Sequence, residues 1–224
     1  MSLPFTVEQF FAVFATYNTA IWPAQVFAYA FGLLAVGALW SENLIGKRLI
    51  LSTLAILWGW NGIAYQFVFF APINPAAKGF AAIFVLQAIL FAASSIAQNN
   101  LRFKVRLGLR SVLGLGFILY ALLIYELLGY AAGHGLMKGP LFGVAPCPTT
   151  IFTIGMLLMA DGGLVVWLAV IPVVWSLVGS SAAVLLGVPE DLGLAVAAMV
   201  LLVVLAMGAF RSRNSGKMPR GLSS

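Results

Sequence analysis

Charge divides this 224-residue chain into blocks. The stretches 9–41, 49–77, 79–101, 111–137, 139–160, 162–189 and 192–210 hold no Lys, Arg, Asp or Glu apart from Glu126. A bilayer-crossing helix takes roughly 20 predominantly apolar residues, so seven stretches supply seven crossings. Their Leu, Ala, Val and Phe lack the period of two that barrel strands need. The expected fold class is an all-α membrane protein, a seven-transmembrane helix bundle. Helices are predicted near 20–41, 48–70, 76–98, 107–130, 148–160, 163–187 and 190–210, the fifth short or broken. The chain is 62% hydrophobic and 8% charged, against roughly 25% charged in a soluble domain. Too little polar surface remains to clothe a soluble globule. A soluble enzyme, a nucleic-acid-binding domain and a disordered chain are excluded.

Orientation follows from the basic residues. Lys47, Arg48, Arg102, Lys104, Arg106, Arg110, Arg211, Arg213, Lys217 and Arg220 fall in one set of alternate loops, whereas Lys78 and Lys138 fall in the other. Basic loops stay on the cytoplasmic side and face anionic headgroups, so the N-terminus is expected outside and the C-terminus inside. The net charge of +6 thus implies a lipid partner rather than nucleic acid. Residues 1–46 contain no Lys or Arg, so a cleavable signal peptide is not expected and the first span acts as the insertion signal. Val7, Phe10, Phe14 and Tyr17 form a stripe that suits an interfacial amphipathic helix over residues 1–19, or an early, tilted start to the first span. Residues 20–210 form the membrane domain. The basic tail 211–224 lacks an apolar stripe and is expected to be disordered.

Cofactors are constrained by scarcity, and none is predicted. Span seven, 191–210, has no lysine, which excludes a retinal Schiff base. His134 is the only histidine, which excludes bis-histidine haem. Cys147 is the only cysteine, so an internal disulfide is excluded too.

Polar residues gather at one depth. At about 1.5 Å per residue, Asn61 lies roughly 20 Å and Gln66 roughly 27 Å from the cytoplasmic start of span two, and Glu126 about 29 Å along span four. Gln25 lies in the outer half of span one, and His134 and Cys147 flank the outer loop. Intramembrane carboxylates are costly and usually functional, which singles out Glu126; alternatively these residues form an interfacial belt. Glu190 and Asp191 are expected in an outer loop. Spans six and seven offer hydroxyls and tryptophans and read as scaffold.

The stretch from Gly133 to Gly155 is the most unusual. Gly133, Gly135, Gly139 and Gly143, with Pro140, Pro146 and Pro148, prevent a continuous helix through it. Irregular backbone at this depth is tolerated only when it is buried in protein or lines a cavity. Pro148 suits the first helical position, which would make Cys147 the N-cap. There a thiol gains thiolate or soft-metal character, with Thr149 beside it and His134 as a second metal ligand; a buried structural cysteine is the other reading. Together with Leu3–Phe11 and Ile21–Gln25, the segment Pro146-Cys-Pro-Thr-Thr150 resembles a bacterial family of small multi-pass proteins of unknown function. The resemblance implies a multi-pass protein of the bacterial inner membrane and carries no activity.

Three functions stay open. One is transport or binding of a small solute or soft metal at an outward-facing site around Cys147, with His134, Glu126, Asn61, Gln66, Gln25 and Thr149 as candidate binding residues; so short a permease would form a homo-oligomer. Another is a non-catalytic membrane subunit or sensor. The third is a membrane enzyme with Cys147 as nucleophile.

Overall fold

The structure is a computed structural model that describes residues 4–135 and 137–215. Helix α1 (Val7–Ala20) opens on a capping box: Thr6 Oγ1 accepts the Gln9 N–H at 3.2 Å, and Gln9 Oε1 accepts the Thr6 N–H at 2.9 Å. An 85° bend at Ile21–Pro23 separates it from α2 (Ala24–Ala38). The expected helix at 20–41 is therefore the second arm of a bent pair.

Helix α3 (Leu44–Trp60) continues without a break into a π-helix, Asn61–Phe70. Then come α4 (Ala77–Ile96) and strand β1 (Arg102–Phe103). Helix α5 (Leu109–Leu119) runs through a π-turn, Tyr120–Ile124, into α6 (Tyr125–Ala131). Helix α7 (Pro146–Leu158) leads to β2 (Ala160–Asp161), which pairs antiparallel with β1, Arg102 opposite Asp161. Helix α8 (Leu164–Leu186) and a 3₁₀ turn (Pro189–Asp191) precede α9 (Leu192–Ser215). The helix therefore includes the first five residues of the expected tail, and the rest lies outside the described residues.

By length and hydropathy four segments could cross a membrane: Ala77–Ile96, Leu109–Ala131, Leu164–Leu186 and Pro189–Phe210. The bent pair α1–α2 could supply a fifth. Helix α7 is different. It is only 13 residues long, and every residue from Pro148 to Leu158 is buried among α3, α5, α8 and α9. A helix apolar all round belongs inside.

Two helix packings show how buried backbone is satisfied. Gly114 of α5 and Gly155 of α7 meet: a Cβ on Gly155 would stand 2.7 Å from the Gly114 carbonyl oxygen. Small residues let membrane helices approach this closely. Within α8, Pro172 has no N–H to give the carbonyl four residues back. That carbonyl, Leu168, instead accepts Gln87 Nε2 of α4 at 3.0 Å. Gln87 is fully buried for this reason.

The two ends of the bundle differ. At one end Lys47 and Arg48 of α3 join Arg102, Lys104, Arg106 and Arg110, which run from β1 to the start of α5. There Lys104 pairs with Glu42 at 2.6 Å, and Arg110 pairs with Asp161 at 2.8 Å. The opposite end holds α1, the π-helix, the segment 137–147 and the turn Pro189–Asp191.

Candidate functional site

The irregular segment before α7 is buried and held by side chains. Asn18 Nδ2 donates to the carbonyls of Met137 and Gly139 at 3.0 and 2.9 Å. Tyr17 Oη donates to Val144 O at 2.8 Å and accepts from Trp60 Nε1 at 2.8 Å. Asn61 Nδ2 reaches Gly143 O at 2.9 Å and Thr149 Oγ1 at 3.3 Å. From the other side Glu126 Oε1 accepts the Phe142 N–H at 2.9 Å and the Tyr29 hydroxyl at 2.5 Å. Four side chains thus replace water for a backbone that has no ladder of its own.

Helix α7 starts two residues earlier than the sequence suggested. Ala145 is the N-cap, Pro146 takes the first helical position, and Cys147 lies in the first turn rather than at the cap. The physical reason is the second proline. First-turn N–H groups have no intrahelical partner, so Pro148 fits there as well as Pro146 does. Of the first three helical residues only Cys147 keeps an N–H. The helix can begin in a dry environment because there is little donor capacity to satisfy.

Beside this turn lies a cavity of about 270 Å³. Cys147, Gln66, Tyr65, Trp175 and Asp191 line it, and α1 closes over it with Phe10 and Phe14, joined by Phe5 just before the helix. A Cβ on Gly179 would stand 3.4 Å from Cys147 Sγ and 3.7 Å from Trp175 Nε1, so thiol and indole share one gap. Gln66 is fully buried, yet neither its amide oxygen nor its amide nitrogen has a hydrogen-bond partner. Trp175 Nε1 is also buried and unpartnered. The π-helix explains how Gln66 comes here: its i→i+5 bonds, such as Ala71 N–H to Gln66 O at 3.0 Å, put Asn61 and Gln66 on one buried face. An α-helix would not align residues five apart.

The last span does more than scaffold. Glu190 and Asp191, expected in a loop, are buried at 0% and 1% exposure. Pro189 starts a 3₁₀ turn that folds both acids under α6. Tyr125 Oη donates to Asp191 Oδ1 at 2.5 Å, and Tyr120 Oη donates to the Glu190 carbonyl at 2.8 Å. His134 Nδ1 lies 3.2 Å from Glu190 Oε1, which fits against Gly129, where a Cβ would stand 2.8 Å away. Glu190 Oε2 has no partner. Trp175 likewise brings α8 into the site.

The sequence candidates therefore separate. Cys147 and Gln66 face the cavity. Asn61, Glu126 and Thr149 hold backbone; Thr149 Oγ1 donates to Ala145 O at 2.7 Å. Gln25 Nε2 donates at 2.7 Å to the carbonyl of Asn18, the residue whose side chain holds Met137 and Gly139. His134 meets Glu190 and stacks near Phe11, their ring centroids 4.4 Å apart. Neither Glu126 nor His134 lines the cavity. Among the described residues no three His, Cys, Asp or Glu side chains group so as to hold a metal ion. A soft-metal centre on Cys147 and His134 gains no support from this geometry.

The comparisons place the chain in a family without an activity. Residues 7–216 match the model of a family of unknown function, DUF6064. The chain belongs to that family. No curated protein and no solved structure matches it. As a DUF6064 member it brings no borrowed residue roles, so the functional reading rests on the site itself.

Proposed function

We propose that this DUF6064 protein is an integral membrane protein of seven helical segments, N-terminus outside and C-terminus cytoplasmic, that binds a small, largely apolar molecule in the cavity beside Cys147. One observation carries the reading: Gln66 is fully buried on the cavity wall with both amide atoms unpartnered. Burying an amide without hydrogen bonds costs roughly 2–7 kcal/mol. A ligand that hydrogen-bonds to Gln66 would recover that cost.

Supporting features agree with placement in lipid. Trp22 and Trp40, 64% and 62% exposed, bracket α2, as interfacial anchors do. Helix α1 would lie in the outer interface as a lid. Below the cavity α7 is packed on all sides, which favours binding over an open conduit. The aqueous route to Cys147 then passes under α1.

Single-cysteine chemistry tests this. A small neutral thiosulfonate should modify Cys147 slowly in the detergent-solubilised protein, and Phe10→Ala with Phe14→Ala should speed the reaction about tenfold. An unchanged rate on opening the lid would remove the cavity as the path to the thiol.

A further inference from the structure

We propose that the molecule bound in this cavity is an organic ammonium, an apolar body bearing one positive nitrogen. This rests on the cavity being a binding site and adds the chemical class of its occupant.

Among the described residues the cavity wall carries one carboxylate, Asp191, and no basic side chain. Among the described residues Asp191 forms no ion pair. Its neighbours are the Tyr125 hydroxyl on α6, Cys147 on α7, and Glu190, itself paired with His134. The faces of α1, the π-helix and α8 that border the cavity add Gln66, Tyr65, Trp175 and phenylalanines, none of them cationic. A buried carboxylate is stabilised by an opposite charge within reach, and none of the described side chains lining the cavity supplies one.

The remaining walls suit a cation. Trp175 stands edge-on to Phe80 with ring centroids 5.3 Å apart, and Tyr65 stacks with Phe14 at 4.9 Å and with Phe70 at 5.5 Å. Aromatic faces attract an ammonium through the ring quadrupole, more strongly when water is excluded. Gln66 Oε1 supplies an unused acceptor for its N–H groups.

An anion is disfavoured twice. The Asp191 carboxylate stands on the cavity wall, and the helix N-terminus that would draw an anion has lost two donors to Pro146 and Pro148. A cavity of about 150 Å³ holds benzene, so about 270 Å³ has room for a single ring with a short arm.

The probes are 2-phenylethylamine, cationic at pH 7, and 2-phenylethanol, its neutral counterpart. Binding to the full chain in detergent is read by protection of Cys147 from the thiosulfonate and, independently of thiol reactivity, by isothermal calorimetry. The amine should bind at least tenfold more tightly than the alcohol, and Asp191→Asn should erase that difference while alcohol binding persists. Equal affinities in the wild-type chain, or an amine preference that survives Asp191→Asn, would overturn the ammonium assignment and leave the cavity reading standing. Binding of neither probe by either readout would overturn both. If Asp191→Asn fails to fold, the wild-type contrast decides.

Discussion

The two ends of this molecule handle charge in opposite ways. At the basic end the acids are partnered and partly exposed: Arg110 and Asp161 keep about 40% of their side-chain surfaces in solvent, and Glu42 meets Lys104. Even the buried Lys47 is hydrogen-bonded, to Ala97 O and Asn99 Oδ1. At the cavity end Glu190 and Asp191 are buried, with His134 against Glu190 and the Tyr125 hydroxyl on Asp191. An exposed ion pair tightens a loop at little cost. An uncompensated buried carboxylate costs stability wherever it occurs, and proteins retain such groups mainly at sites of function. The ends therefore differ in purpose: one fastens connections, the other holds a site.

Substitutions should expose that difference. The largest effect belongs to the clamped backbone at the cavity end. Gly143 has φ +75°, and a Cβ there would stand 2.6 Å from Ala28 Cβ. Gly143→Ala should cost about 3 kcal/mol from strain and overpacking, seen as a large fall in melting temperature in detergent. Asn61→Leu comes next, because Gly143 O loses its donor; about 2 kcal/mol is expected, measured the same way. Asp191→Asn should run in the opposite direction, leaving the ligand-free protein as stable or about 1 kcal/mol more stable. A clear loss of stability there would mean that Asp191 is a structural residue. Arg110→Ala, at the basic end, should cost under about 1 kcal/mol. A larger loss would erase the contrast between the ends.

Much of the scaffold was legible. The charge-free stretches put helices near 48–70, 76–98, 107–130, 148–160, 163–187 and 190–210, and the observed helices cover Leu44–Phe70, Ala77–Ile96, Leu109–Ala131, Pro146–Leu158, Leu164–Leu186 and Leu192–Ser215. Length and hydropathy suffice for that. The site was legible only in part. Cys147 and Gln66 stand out as polar groups among apolar ones, and both reach the cavity. Asp191 does not stand out, because an acid two residues after a proline at the end of an apolar stretch reads as loop. Its burial depends on Tyr125, 66 residues earlier, and no local pattern encodes that pairing. One available signal was charge asymmetry: Asp191 sits on the side with only two basic residues, Lys78 and Lys138, so an ion pair was improbable there. The break between α1 and α2 was half visible in the stripe over Val7–Tyr17.

Helix α7 never touches the outer surface of the bundle along Pro148–Leu158. In the membrane setting proposed above, bilayer thickness acts on a helix through the mismatch between its apolar length and the surrounding hydrocarbon, so a thicker or thinner membrane would strain the outer helices while α7 is shielded by its neighbours. Lipids of different acyl length should shift the melting of the whole protein more than they shift the geometry around Cys147.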